Sequence, residues 1–351
     1  MTPARIHVAP AGDLLRLRAE WQELQQRAAP HAFQTAAWVF AEAGARWRQA
    51  VALRAHRGGI LVGLALAGRR RGGLWLTETG IPARDSVFVE HNAPLLARGH
   101  EDLAGPCLAA LLREAGPAGL FLSGVAPALA ASLPRHAARR VLADRSVPFV
   151  DLAALGREPD AYLARLSANT RQQLRRSQRA YAAAGPIRVE RAACGPTRRT
   201  FLDALASLHQ ARWTARGQPG AFATPAFRAF HEALVADPAA GDLVDLLRIT
   251  AGERLIGYLY NLRCGGRVYA YQSGFDYAGA AGPEKPGLTC HHAAIETARA
   301  AGERIYDFLA GTDRYKTSLA TGAEHLLWLH AAPRLSAAGA AITARALLRR
   351  R

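Results

Sequence analysis

Part of this chain repeats, which limits the folds open to it. The segment L-R-A-H-R-G-G-I-L-V-G, Leu53 to Gly63, aligns with L-R-I-T-A-G-E-R-L-I-G, Leu247 to Gly257, at a constant offset of 194. Leu, Arg, Gly, Leu and Gly coincide. Both copies read as a strand, a Gly-containing turn and a second strand, the signature of a β-hairpin. The likeness extends outward. Phe40-Ala41-Glu42 and Phe230-His231-Glu232 each close a helical stretch ahead of the hairpin, and a third strand follows it, Gly73 to Leu76 in one copy and Arg267 to Tyr271 in the other. The chain therefore divides into two related halves with a boundary near residue 150: residues 1–150, residues 151–335 and a basic tail over 336–351.

Helical patterns flank these strands. Leu14, Leu17, Trp21 and Leu24 fall on one helix face, as do Phe201, Leu205, Leu208 and Trp213. Helices alternating with strands indicate an α/β or α+β class rather than a helical bundle. With 351 residues, half of them apolar, each half has enough material for its own core. The cysteines Cys107, Cys194, Cys264 and Cys290 form no C-x-x-C pair, which argues against a structural zinc site or a disulfide framework and predicts reduced thiols and no metal. Neither a secretory h-region nor a long uncharged apolar run is present, so the expectation is a cytoplasmic protein without a membrane span.

The formal net charge is +17, and Lys285 and Lys316 are the only lysines. An arginine excess of this kind attracts anions without naming one. It is concentrated at the joint between the halves, where Tyr162 to Tyr181 reads as one amphipathic helix: Leu163, Leu166, Thr170, Leu174 and Tyr181 on one side, Arg165, Arg171, Arg175, Arg176 and Arg179 on the others. Such a face is either solvated or an electrostatic clamp on a phosphate-bearing molecule.

Two stretches of the second half could carry chemistry. Gly274-Phe275-Asp276 leads through a Gly/Pro-rich turn into Lys285-Pro286-Gly287-Leu288-Thr289 and a helix from Cys290 to about Ala301, a loop-to-helix junction where a phosphate can dock. After that helix, Arg304 to Leu309 reads as a buried strand, followed by the turn Ala310-Gly311-Thr312-Asp313-Arg314-Tyr315-Lys316. A carboxylate, a phenol and an ammonium are thereby gathered, a set suited to acyl transfer, although spacing alone favours a structural turn in which Asp307 satisfies backbone amides and Lys316 is a surface charge.

The run Y-D-F-L-A-G-T-D-R-Y-K resembles the C-terminal signature D-F-x-x-G-x-x-x-Y-K of the GNAT/Fem-like acyltransferases, in particular the CelD-type (cellulose-biosynthesis-like) acetyltransferase domain. Here the signature is Asp307-Phe308, Gly311 and Tyr315-Lys316. S-A-N-T-R-Q-Q-L-R-R and Phe33-Gln34-Thr35-Ala36-Ala37-Trp38 also resemble that family, so the likeness runs from about residue 5 to 335. It implies two tandem GNAT-like units, each a mixed, mostly antiparallel sheet flanked by helices, with the active cleft in the second and the first degenerate.

The resemblance further implies an acyltransferase moving an acyl group, acetyl foremost, from acyl-CoA to an amine or hydroxyl of a small metabolite or envelope saccharide. Asp307 or Asp313 would be the base, Tyr315 the proton donor and Lys316 the charge stabiliser. Lys285, Gly287, Leu288 and Thr289 would hold the donor, and Gln272, His291 and Arg175 the substrate. The usual acetyl-CoA loop pattern Q/R-x-x-G-x-G/A is absent, so aminoacyl-tRNA, the donor of Fem-type relatives, stands as the alternative. A third reading is a non-catalytic anion or nucleic-acid binder, suggested by Arg345, Arg349, Arg350 and Arg351. The basic helix lacks the interleaved aromatics of a single-strand platform.

Overall fold

The computed structural model describes residues 3–348 apart from 157, 159 and 312. Arg349, Arg350 and Arg351 of the basic tail lie outside the described residues, and so does Thr312 of the signature turn. The chain forms two compact units, Met1–Arg145 with His325–Arg351, and Ser146–Glu324.

The first unit opens with β1 (Ala4–Pro10), α1 (Leu14–Gln26) and the short helices α2 (Ala36–Val39) and α3 (Ala43–Arg46). The meander β2 (Ala50–Arg57), β3 (Ile60–Arg70) and β4 (Gly73–Leu76) follows; β5 (Leu95–Leu96) pairs with β3, α4 (Ala104–Glu114) leads to β6 (Leu120–Val125), and α5 (Pro127–Ala131) precedes β7 (Ala137–Asp151). Helix α1 forms where the pattern predicts. Asp13 caps it, accepting from the amides of Leu15 and Arg16, and Leu17, Trp21 and Leu24 are buried.

The second unit contains α6 (Ala161–Arg165), α7 (Ala168–Ala182), β8 (Ile187–Arg191), α8 (Gly195–Thr214), α9 (Pro225–Ala236), β9 (Val244–Ala251), β10 (Arg254–Cys264) and β11 (Arg267–Phe275). Then come α10 (Pro286–Ala300), β12 (Ile305–Asp307) and α11 (Arg314–Leu319). The division between units falls within β7 and again within β13 (Gly322–Pro333), and α12 (Ala337–Leu348) belongs to the first unit. Each unit is a mixed α/β fold. The strand order is β1-β2-β3-β4-β6-β13 in the first and β7-β12-β11-β10-β9-β8 in the second.

The repeat persists down to hydrogen-bond register. In the first hairpin Ala55 pairs with Gly63 and His56 with Leu61, which bulges Val62; in the second Ile249 pairs with Gly257 and Thr250 with Leu255, which bulges Ile256. All these positions differ by 194. Gly58 and Gly252, at φ +60° and +55°, make the two turns, a conformation L side chains rarely adopt. The third strands keep register as well: Arg69 pairs with Leu74, and Arg263 with Val268.

Several local expectations change. The predicted joint helix is two helices, because Leu166 is extended and Ser167 caps α7 by accepting from the Thr170 amide. Phe230 does not close a helix but lies inside α9, which runs on to Ala236. Helix α10 begins at Pro286 rather than Cys290, with proline in the first turn where its missing N–H costs nothing. Asp313 to Lys316 is not a turn but the start of α11. The buried strand predicted over Arg304 to Leu309 is confined to Ile305–Asp307. The four cysteines are free thiols, and among the described residues no helix is long and apolar enough to cross a membrane.

Candidate functional site

In the second unit β11 and β12 run parallel and then part. Their pairing is Arg267 with Ile305, Val268 with Tyr306 and Tyr269 with Asp307. Beyond Asp307 the chain leaves the strand, the Phe308 amide donating to the Pro148 carbonyl at 3.0 Å, while β11 continues from Ala270 to Phe275. A bulge against β10 at Tyr271 sharpens the departure. An edge of β11 is thus separated from its parallel partner, and its far end leads into the α10 junction.

That junction is tied down from below. The Lys285 amide donates to Ser177 Oγ of α7 at 2.8 Å, and Ser177 Oγ also lies 2.8 Å from Thr289 Oγ1. Arg254 grips Glu284 through both guanidinium nitrogens, at 2.7 and 2.6 Å, and donates to the Gly279 carbonyl. The Lys285 side chain is exposed. A Cβ on Gly287 would stand 3.3 Å from the Phe275 ring, so backbone passes close there. Of the four predicted donor contacts, Lys285 and Gly287 sit at the junction's mouth, whereas Thr289 is buried with its hydroxyl engaged and Leu288 packs on the core.

His291 of α10 lies one turn inward, buried among aromatics. Tyr315 stacks on it at 5.0 Å, Phe275 and Phe308 meet it edge-on, and its Nδ1 is 3.1 Å from the Tyr306 hydroxyl. Burial, with the nearby Lys316 charge, depresses the imidazole to about 3, so it is neutral at any working pH. The same desolvation raises the Tyr306 and Tyr315 phenols, leaving both protonated. Nε2 of His291 is buried and has no hydrogen-bond partner among the described residues. Gln272 is half-buried on β11. Arg175 is exposed on α7, 3.2 Å from Asp160.

The signature residues divide into two kinds. Asp307 is fully buried; one oxygen pairs with Arg267 at 2.7 Å and the other accepts the Leu309 amide at 2.7 Å. Lys316 is buried too, its Nζ donating to the Leu309 and Ala310 carbonyls at 3.2 and 3.0 Å. Between them Leu309 adopts φ +59°, and a Cβ on Gly311 would come within 2.8 Å of Lys316 Nζ. Asp307 and Lys316 thus hold a strained turn, whereas Asp313 is exposed and Tyr315 half-buried beside it. Sequence reasoning gave no role to Ser177, Tyr306 or Arg267, whose partners lie 108, 15 and 40 residues away.

A strand parting from a parallel neighbour, then a loop and a helix N-terminus, is an arrangement that can seat an acyl donor. Residues 168–317 match the acetyltransferase (GNAT) domain family. The match runs from α7 into α11 and includes both the parted strands and the strapped turn. No curated protein matches the sequence.

Among solved structures, the C-terminal domain of a candidate lysylphosphatidylglycerol synthetase from Agrobacterium fabrum is similar, with TM-score 0.57 and 12% identity over 96% of this chain and 97% of that one. FemX is similar at 0.58 and 11%, over 90% and 95%. A conserved protein of unknown function from Bacteroides thetaiotaomicron is similar at 0.57 and 11%, over 93% and 100%. At such identities the likeness is one of fold.

Proposed function

We propose that the chain is an acyltransferase that works in its second unit, moving an acyl group, acetyl foremost, from acyl-CoA to an amine or hydroxyl of a small metabolite or envelope saccharide. The parting of β11 from β12 beyond Tyr269 and Asp307 carries this reading, because it separates a strand edge that ends at the Lys285–Pro286 junction. The GNAT family match over 168–317 supports it. The motif likeness to the CelD-type branch is compatible with a saccharide acceptor.

In this reading the donor's phosphates lie at the start of α10, where Lys285 supplies a cation and Gly287 lets the backbone approach. Its carbonyl lies against β11 near Gln272. Asp313, exposed at the mouth, takes the proton of the attacking amine or hydroxyl. Tyr315, kept protonated by burial, delivers a proton to the departing thiolate. Asp307 and Lys316 are positioning residues, and His291 orders the aromatic floor. Arg175 contacts an acidic group of the substrate.

A second reading replaces acyl-CoA with aminoacyl-tRNA. The exposed guanidinium face of α7, Arg175, Arg176 and Arg179, favours it. Calorimetric titration with acetyl-CoA and with charged tRNA decides between them. Micromolar acetyl-CoA binding that Lys285→Glu weakens at least tenfold supports the first. Salt-sensitive tRNA binding lost on charge reversal of the three arginines supports the second, and binding of neither removes both.

A further inference from the structure

The first unit contains its own counterpart of the parted strands. β4 and β6 run parallel through Leu74 with Leu120 and Trp75 with Phe121, then separate, as β11 and β12 do. A cleft of about 210 Å³ opens there. Glu78, which lines it, lies 194 residues before Gln272 and so occupies the position corresponding to Gln272 in the repeat.

We infer that this cleft is a second ligand site, built for a neutral hydroxyl-bearing ring of the size of one pyranose. The inference stands apart from the acyl-transfer reading. Trp75, Phe121 and Trp328 line the cleft, Phe121 sandwiched between Trp75 at 4.5 Å and His330 at 4.2 Å and so presenting its edge, and its polar groups are Glu78, Asp85 and Ser123. An apolar lining with a few convergent hydrogen-bonding groups suits a sugar ring, which offers C–H groups and hydroxyl edges.

Glu78 decides the charge type. It is 8% exposed; Oε2 accepts from Ser123 Oγ at 2.6 Å, and Oε1 has no hydrogen-bond partner among the described residues although the side chain lines the cleft. Burial and the neighbouring Asp85 push its carboxyl up to about 8, against the pull of Ser123 and Arg46. At neutral pH it therefore keeps a proton and can donate from Oε1. Asp85 is held by the Thr79 amide and hydroxyl at 2.7 and 2.8 Å, and the Arg46 charge offsets it. A second guanidinium, Arg145, lies 4.6 Å over the Trp328 ring. The Arg46 charge acts on both carboxyls of the cleft, so a cationic ligand is the poorer match.

The test is a titration of the full chain with glucose, galactose and N-acetylglucosamine at pH 6.5 and 9.5, followed by tryptophan fluorescence, with ethanolamine as the cationic probe. The expected result is saturable binding of at least one sugar, at least tenfold weaker at the higher pH and unchanged in Lys285→Glu. Glu78→Gln, which keeps the shape and a donor, should retain binding and lose its pH dependence; Phe121→Ala should lose binding while the circular dichroism spectrum is kept. No binding of any of the three sugars overturns the inference. So does a Glu78→Gln variant that keeps the pH dependence, or ethanolamine binding that strengthens with pH.

Discussion

Asp307 and Lys316 hold the same residue from two sides: the Asp307 carboxylate accepts the Leu309 amide at 2.7 Å, and the Lys316 ammonium donates to the Leu309 carbonyl at 3.2 Å. The most family-like residues of the chain are thereby a strap on the turn that carries β12 into α11. Lys316→Met keeps the stem and removes the ammonium that donates to the Leu309 and Ala310 carbonyls. A stability loss of about 2–4 kcal/mol by urea denaturation is expected, together with a fall in turnover that is larger than the fall in donor affinity. Unchanged stability would show that Lys316 does not hold the turn.

Ser177 makes a contrasting prediction at the other end of the cleft. Ser177→Ala orphans the Lys285 amide and loosens the junction, at about 1–3 kcal/mol. In the acyl-transfer reading donor affinity falls several-fold while turnover at saturating donor is kept. A variant that loses turnover but not affinity would contradict the placement of the donor there.

His291 links stability to pH. Its folded value of about 3 lies below the ordinary imidazole value of 6.5, so the unfolded chain binds the proton more tightly. The stabilisation is fully present above pH 6.5 and drains away as the pH falls toward 3, by at most about 1.4 kcal/mol per pH unit. His291→Gln should flatten the acid limb of a stability–pH curve; an unchanged limb would contradict the burial of a neutral ring.

Glu78 runs in the opposite sense. Its folded carboxyl stands near 8 against 4.5 unfolded, so its contribution is complete below pH 4.5 and is lost as the pH rises through 8. Glu78→Gln should be more stable than the parent at pH 7, by up to about 3 kcal/mol, and no more stable at pH 4.5. Guanidinium melts at the two pH values check it.

What the sequence disclosed follows from the range of the interactions. The duplicated hairpins were legible because each is local and its turn needs a glycine, Gly58 or Gly252, so pattern and structure share a scale. The break at Leu166 and Ser167 was not, since apolar spacing continues across it and only the cap on Thr170 reveals it. Asp307 and Lys316 stood out as potential chemistry because the residue types allow it; their engagement with Arg267 and the Leu309 turn is tertiary. Glu78 carried no local mark, and its significance comes from the cleft and from Ser123, 45 residues away.

In the acyl-transfer reading the donor lies along β11 beyond its parting from β12. Amide hydrogen exchange of the full chain, with and without acetyl-CoA and with and without charged tRNA, tests this directly. One of the two donors is expected to slow exchange in residues 270–275 and 287–289 while leaving β9 and β10 unchanged. Saturating binding of a donor with no protection in those two segments would contradict it.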